Sequence, residues 1–251
     1  MRHALVTGGG KGIGRAIAVR LAADGHVVTI TGRDARALDA VAAEAPGIIH
    51  AVVGDVGDEA SIANVIAAAV RDRGPVDVLV NNAGIATSAP ITKLTVDDWE
   101  HHFRINVTGV FLCTRALLPA MLERQWGRVV TVASVASHVG WSYTAAYAAS
   151  KHAVLGFMRV VAAETRDSGV TANSICPAYV RSEMADRAAA RVQALTGRDP
   201  DEAMAAVLRS SGQTRLIEPE EVAAAAAYLA SDAAGAVHGQ SLIIDGGVIQ
   251  H

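Results

Sequence analysis

The sequence predicts a single α/β domain over residues 1–251, a doubly wound parallel sheet of about seven strands with helices on both faces. Three observations carry the prediction. Short β-branched runs alternate with longer helical stretches from one end of the chain to the other. Each strand candidate is almost continuously apolar, as strands covered on both faces are. The chain is 51% hydrophobic and 19% charged, which supplies one large core and leaves too much apolar content for disorder.

In chain order, the strand candidates are His3–Thr7, Val27–Thr31, Ile48–Val53, Val76–Val80, Val129–Ala133, Thr171–Cys176 and Ser241–Ile244. Helical patterns lie between them at Ile13–Ala23, Ser61–Arg73, Trp99–Leu122, Ala146–Thr165 and Pro219–Ala230. Thr95 and Asp98 resemble a capping box with an acid in place of the usual Glu or Gln. Asp199-Pro200-Asp201-Glu202 supplies an N-cap, a first-turn proline and a Glu three residues on. The stretch Arg181–Gln213 is the one irregular insertion, polar, Ala-rich and broken at Gly197–Pro200. It begins just after a strand end, and ligands of open α/β sheets sit outside the carboxyl ends of the strands. Two short helices forming a substrate lid at about 181–213 are expected; a surface decoration is the plainer alternative.

Composition excludes several classes of function. The formal charge is −3 with no block of like charges, so no nucleic-acid footprint is expected. No uninterrupted apolar run of membrane-spanning length is read, so no membrane is expected either. Cys113 and Cys176 sit in apolar runs without metal-ligand spacing and read as buried thiols, with no metal site. Met1–Thr7 enters a strand directly, without a leader pattern, which implies a cytoplasmic protein.

The first strand runs into Thr7-Gly8-Gly9-Gly10-Lys11-Gly12-Ile13-Gly14, with a helix following at once. Glycines let the backbone approach a pyrophosphate, and the helix N-terminus offers free N–H groups and a positive dipole end. A glycine cluster alone is weak evidence, but its place between first strand and first helix strengthens it.

Further along stand Asp55, Asn81-Asn82-Ala83-Gly84, Asn106, Ser134, Tyr147-Ala148-Ala149-Ser150-Lys151 and Pro177. With that glycine spacing and in this order, the chain resembles the short-chain dehydrogenase/reductases of the single-domain, Rossmann-type kind, over essentially its whole length. Among them it is similar to 3-oxoacyl-thioester reductases and, around Ile175-Cys176-Pro177, to 3-hydroxybutyrate dehydrogenases. The resemblance implies hydride exchange between a nicotinamide cofactor and a carbonyl/alcohol pair. It assigns the cofactor to Gly8, Gly10, Lys11, Gly12, Ile13, Gly14, Arg33, Asp55, Val56, Asn82, Ala83, Gly84, Tyr147, Lys151, Pro177, Val180 and Ser182. Asp55 would contact the adenine amino group; a helix cap is its alternative. The family's assembly implies a homotetramer through the helices of Asn106–Leu122 and Tyr147–Thr165.

The end of the second strand bears on the cofactor. A carboxylate there would bind the adenosine ribose hydroxyls and repel a 2′-phosphate. Thr31-Gly32-Arg33-Asp34 instead puts Gly32 where NAD-preferring members carry Asp, with Arg33 next to it. A guanidinium suits a phosphate, and Lys11 adds a second cation. Either alone would read as a surface cation; together they favour NADP(H) over NAD(H). Asp34 tempers this unless it caps the next helix and points away.

Tyr147 and Lys151, four apart on a helix, face one way. A free tyrosine titrates near pH 10; an adjacent ammonium and the oxidised nicotinamide would lower that value and let Tyr147 act as acid or base. Ser134 would steady the substrate oxygen. By resemblance, Asn106 anchors a water that continues the proton path through Lys151. Singly these residues read as a packed aromatic, a surface lysine and a turn serine; jointly they read as a catalytic set. A catalytically silent cofactor-binding scaffold or sensor would be expected to lose one of them.

For the substrate pocket the candidates are Ser134, His138, Trp141, Tyr179 and Met184, a mainly apolar and aromatic lining. His138 reads as a loop histidine making ordinary polar contacts. Ala86, Ala136 and Thr144 stand where the hydroxybutyrate enzymes hold a free carboxylate. Gln125 and Ser168 stand where carrier-protein reductases use arginines, with Arg124 and Arg166 near enough to substitute. The expected substrate is a 3-oxoacyl-CoA-type thioester or a hydrophobic ketone, with oxidative NAD-linked alcohol chemistry as the alternative. Ala178 and Ser182 replace the family's usual Gly and Thr, so Ala178 needs a compatible backbone angle.

Overall fold

The computed structural model describes residues 1–249. Among them, seven parallel strands run in the order β3-β2-β1-β4-β5-β6-β7: β1 His3–Thr7, β2 Val27–Gly32, β3 Ile49–Val53, β4 Val78–Asn81, β5 Gly127–Val132, β6 Val170–Pro177 and β7 Ser241–Ile244. The strand sequence reverses direction between β1 and β4, the switch point where such sheets open a crevice at their carboxyl ends.

Alternate side chains of each strand feed two cores. Ala4, Val6, Val78, Val80, Val130 and Val132 enter one, while Leu5, Leu79 and Val129 enter the other. The first core is closed by α1 (Gly12–Ala23), α2 (Ala35–Ala42) and α9 (Pro219–Ala230). The second is closed by α3 (Glu59–Arg73), α5 (Gly109–Glu123) and α6 (Ala145–Glu164). Sheltered on both faces, the inner strands β2, β1, β4, β5 and β6 have no need of polar alternation, while the edge strands β3 and β7 are partly exposed.

Several elements differ from expectation. No helix was read over α2, whose eight residues bury only Leu38 and Val41. The single helix expected over Trp99–Leu122 is instead α4 (Val96–Phe103), a π-helical turn over Arg104–Thr108, and α5. By length and composition, the run Val96–Glu123 is also apolar enough to cross a membrane, which the sequence reading overlooked. Half of its most apolar window is buried in this domain, through the side of α5 that packs into the second core. The cap at its start is as expected, with Asp98 N donating to Thr95 Oγ1 at 3.0 Å and Thr95 Oγ1 donating to Asp98 Oδ2 at 2.7 Å.

The Arg181–Gln213 insertion contains α7 (Glu183–Thr196) and α8 (Pro200–Ser211), separated by Gly197 in the left-handed region and by the Asp199 cap. Ala189, Ala203 and Val207 give the pair a small core of its own, on which Tyr179 packs.

Candidate active site

At the carboxyl end of β1, the glycine turn is built against the end of β4. Gly8 has φ +65°, and a Cβ there would stand 2.9 Å from Ala83 Cα; one on Gly14 would stand 2.1 Å from Gly8 O. No larger residue fits either position. Thr7, which the sequence reading passed over, locks the junction: its Oγ1 accepts from the N–H groups of Asn82 and Ala83, each at 3.0 Å. Asn82 Nδ2 returns bonds to Thr7 O at 3.0 Å and Gly8 O at 3.2 Å.

The residues present fit a dinucleotide. Lys11 places no side-chain cap on α1, and the first main-chain bond there runs from Arg15 N to Lys11 O. The N–H groups of Gly12, Ile13 and Gly14 therefore have no side-chain acceptor, at a positive helix end suited to a pyrophosphate. Asp55 sits past β3, its Oδ1 accepting from Gly57 N at 2.8 Å, while Asp58 caps α3. Val56 packs its side chain against Gly109 of α5, so what it can offer a ligand is backbone.

Arg33 is exposed and joins no ion pair among the described residues. Lys11 is less free than expected, lying 3.5 Å from Asp34 and 3.2 Å from Glu183. Asp34 does cap α2, accepting from Ala37 N at 3.1 Å, yet its other oxygen faces Lys11 rather than pointing away.

At the carboxyl ends of β5 and β6, the Ser134 hydroxyl stands near the Tyr147 phenol, close enough to pull its pKa down. Lys151, buried on the helix turn after Tyr147, donates from Nζ to Val132 O at 2.9 Å, with Nζ 5.9 Å from the Tyr147 ring centre. The expected lowering of the Tyr147 pKa is not seen here. Burial outweighs the influence of the Ser134 hydroxyl and pushes the phenol up, with Tyr179 and Cys176 adding to the shift. Burial likewise lowers Lys151 to about 8. Cys176, beside these groups, is a free buried thiol pushed up to about 11 by the same effect, and Cys113 is another at about 12.

Asn106 sits in the π-helical turn, 1% exposed. Its Oδ1 accepts from Ile85 N at 2.8 Å, and its Nδ2 donates to Ile85 O and to Ser150 Oγ, each at 3.0 Å. One lone pair of Oδ1 is all its side chain retains for a water. Ser150, also unremarked in the sequence, then donates to Tyr147 O at 2.7 Å and ties the two helices together. Gly84 completes the corner: the place its Cβ would take is 3.3 Å from Asn106 Oδ1 and 3.7 Å from Lys151 Nζ.

After β6, Pro177 pairs with Ile244, and Val180 bridges to Ile217 within the first core. Ala178 stays out of the positive-φ region, so the Gly-to-Ala departure strains nothing. Ser182 Oγ donates to Val180 O at 3.0 Å. Tyr179 is held by Gln213, whose Oε1 accepts from Tyr179 N at 2.9 Å and whose Nε2 donates to Tyr179 O at 3.2 Å. Met184, in the first turn of α7, is half-buried, as are Trp141 and His138. His138 ends the short 3-10 turn that Ser134 begins.

Of the two proposed carrier-docking substitutes, Arg124 donates to Val76 O at 2.9 Å and reaches Asp77 at 3.4 Å, at the amino ends of the strands, whereas Arg166 is exposed and joins no ion pair among the described residues.

Comparison with known proteins gives a consistent picture. Residues 2–193 match the family described as short chain dehydrogenase. A D-beta-hydroxybutyrate dehydrogenase of Cupriavidus necator is 38% identical, covering 98% of this chain and 97% of that protein. An acetoacetyl-CoA reductase of Rhizobium meliloti is also 38% identical, covering 98% of each. The crystal structure of an actinorhodin polyketide ketoreductase variant with NADPH superposes with a TM-score of 0.95 at 35% identity, covering 100% of this chain and 98% of that one. Equal identity to an enzyme named for a free hydroxy acid and one named for a thioester leaves the substrate to the site's own chemistry.

Proposed function

The chain belongs to the short-chain dehydrogenase family, whose members interconvert ketones and alcohols with NAD(P), and on that premise we propose that it is an NADP(H)-dependent reductase of a 3-oxoacyl-CoA-type thioester or a hydrophobic ketone. The observation that carries the reading is the hydroxyl pair of Ser134 and Tyr147, set above a buried Lys151 and beside the glycine turn.

When bound, the nicotinamide supplies the hydride. Tyr147 holds the proton: its raised pKa keeps the phenol neutral at pH 7, the form that donates to a developing alkoxide. Ser134 steadies the reacting oxygen, and Lys151 brings a positive charge to the same end of β5. Asn106 and Ser150 hold the helices that carry these groups in register. NADP(H) is favoured by the unpaired Arg33, by Gly32 in place of an acid, and by Lys11. A thioester or ketone is favoured over a small carboxylate by Ala86, Ala136 and Thr144, and over a carrier-bound substrate by the engagement of Arg124.

The helices α7 and α8 serve as a lid, with Tyr179, Met184, Trp141 and His138 lining the pocket below. A homotetramer is supported by the apolar outer face of α5 and α6, where Phe111, Leu122 and Val160 stay exposed. Two free buried thiols suit a cytoplasmic setting.

The test is NADPH oxidation with acetoacetyl-CoA, free acetoacetate and aryl ketones, repeated with NADH. Tyr147→Phe should cut kcat by about 10²–10⁴. A preference for free acetoacetate, or full turnover by the Phe variant, would defeat the reading.

A further inference from the structure

Three charged side chains from three separate elements meet at the glycine turn. Lys11 lies in the turn itself, Asp34 is the N-cap of α2, and Glu183 opens α7. Lys11 Nζ is 3.2 Å from Glu183 Oε1 and 3.5 Å from Asp34 Oδ2. The two acids are differently committed. Asp34 is bound locally, its other oxygen occupied by Ala37 N. Glu183 has no main-chain duty; its charged contacts are Lys11 and Arg187, the latter at 3.7 Å. Its hydrogen bond is also the largest influence holding the Lys11 ammonium above its ordinary pKa. The start of the lid lies close over the turn apart from any charge, since a Cβ added at Gly12 would come within 3.6 Å of Ser182 Cβ.

Resting on the reading that Lys11 and Arg33 receive a 2′-phosphate, we propose that Glu183 is a specificity-determining residue for the cofactor. It competes with that phosphate for Lys11, so the first turn of the lid weakens NADPH relative to NADH. A phosphate group with a charge of about −1.5 to −2 can share Lys11 only by standing beside the Glu183 carboxylate or displacing it. NADH brings no such group and meets no such competition. Both partners of this ion pair are more than half exposed, 53% and 59%, so the effect is modest and screened by salt.

The experiment measures Kd for NADPH and NADH by nucleotide fluorescence on the full chain, with Glu183→Gln, Lys11→Ala and the double variant. At about 20 mM salt, Glu183→Gln should raise the ratio Kd(NADH)/Kd(NADPH) by about two- to fivefold, and at about 0.5 M salt the gain should vanish. In the Lys11→Ala background the same substitution should leave the ratio unchanged. An unchanged ratio in Glu183→Gln overturns the proposal. So does an equal gain without Lys11, which would assign the effect to the released Arg187. The preference for NADP(H) is judged separately, by the wild-type ratio: tighter NADH binding there would end that reading, while the change between variants would still decide the role of Glu183.

Discussion

A buried cation stands at each end of strand β5, Arg128 within the strand and Lys151 reaching it from α6, and the two are very differently partnered. At its amino end Arg128, 4% exposed, donates from Nε to Ser231 O at 3.1 Å and from Nη1 to Gly127 O and Gly169 O. It lies 4.4 Å from the centre of the Trp126 ring and 4.0 Å from Asp232. At its carboxyl end Lys151, 6% exposed, has a single carbonyl, Val132 O, and no carboxylate within ion-pair distance among the described residues. Burial lowers the pKa of both, but at one end three carbonyls, a ring face and Asp232 offset that cost. The other leaves its charge short of partners, which is costly to the fold and useful where charge develops during a reaction.

The sharpest way to test that contrast is to remove the Lys151 charge. Lys151→Met should lower kcat by about 10³, on the order of 4 kcal/mol of barrier. It should also raise stability, because a lysine depressed from 10.5 to about 8 carries a desolvation cost on the order of 3 kcal/mol. The sign follows from linkage: the unfolded chain holds that proton more tightly, so the cost is fully present below pH 8 and fades between about 8 and 10.5. A melting temperature that drops with the loss of activity would break the comparison. In the wild type, reduction should slow as pH rises through about 8, where Lys151 loses its proton.

Arg128→Met should do the reverse. Three carbonyls and the Trp126 face lose their partner at once, and stability should fall by about 3 kcal/mol. Activity per folded molecule, measured below the melting transition, should stay within twofold of wild type. A variant as stable as the parent would make the Arg128 network an ornament of the fold.

The same contrast marks how far the sequence could be read. The glycine turn, Ser134 at a strand end, and Tyr147 with Lys151 one helical turn on are local patterns, and local patterns survive in one dimension. What escaped is non-local or a balance of opposing terms. Glu183 meets Lys11 only because the lid folds back over the turn, and Gln213 holds Tyr179 for the same reason. The π-helical turn that holds Asn106 against Ile85 and Ser150 depends on partners 21 and 44 residues away in sequence. The upward pull of burial on Tyr147 escaped because Lys151 and the oxidised nicotinamide were weighed and burial was not. Arg128 fell outside the strand expected at Val129–Ala133, and nothing nearby in sequence names Ser231 as its partner.

The smallest effect belongs to the histidines at the amino ends of β1, β2 and β3, where His3 has both ring nitrogens partnered while His26 Nδ1 is buried without a hydrogen bond among the described residues. His3 is 3% exposed, with Nδ1 on Gly74 O at 2.9 Å and Nε2 on Thr29 Oγ1 at 2.8 Å. A carbonyl only accepts, so Nδ1 carries a proton, and with its pKa lowered the ring is neutral at pH 7, leaving Nε2 to accept from the Thr29 hydroxyl. Burial is the leading cause that lowers its pKa, as it is for His26 and His50, and Arg73 lowers both His3 and His50. Asp77 pulls His3 the other way without reversing the direction. Since the unfolded chain binds these protons more tightly, stability is complete above pH 6.5 and declines as pH falls below it. Urea unfolding at pH 7.0 and pH 5.5 should differ by about 1 kcal/mol, and His3→Gln should flatten that difference. Neither Tyr147, raised above its usual range, nor Lys151, at about 8, changes protonation in that window, so acid should loosen the amino-end rim while leaving the site's own ionisation intact. If NADPH turnover by the folded fraction fell in step with stability across that window, the two ends of the sheet would have to be coupled, and the separation drawn along β5 would not hold.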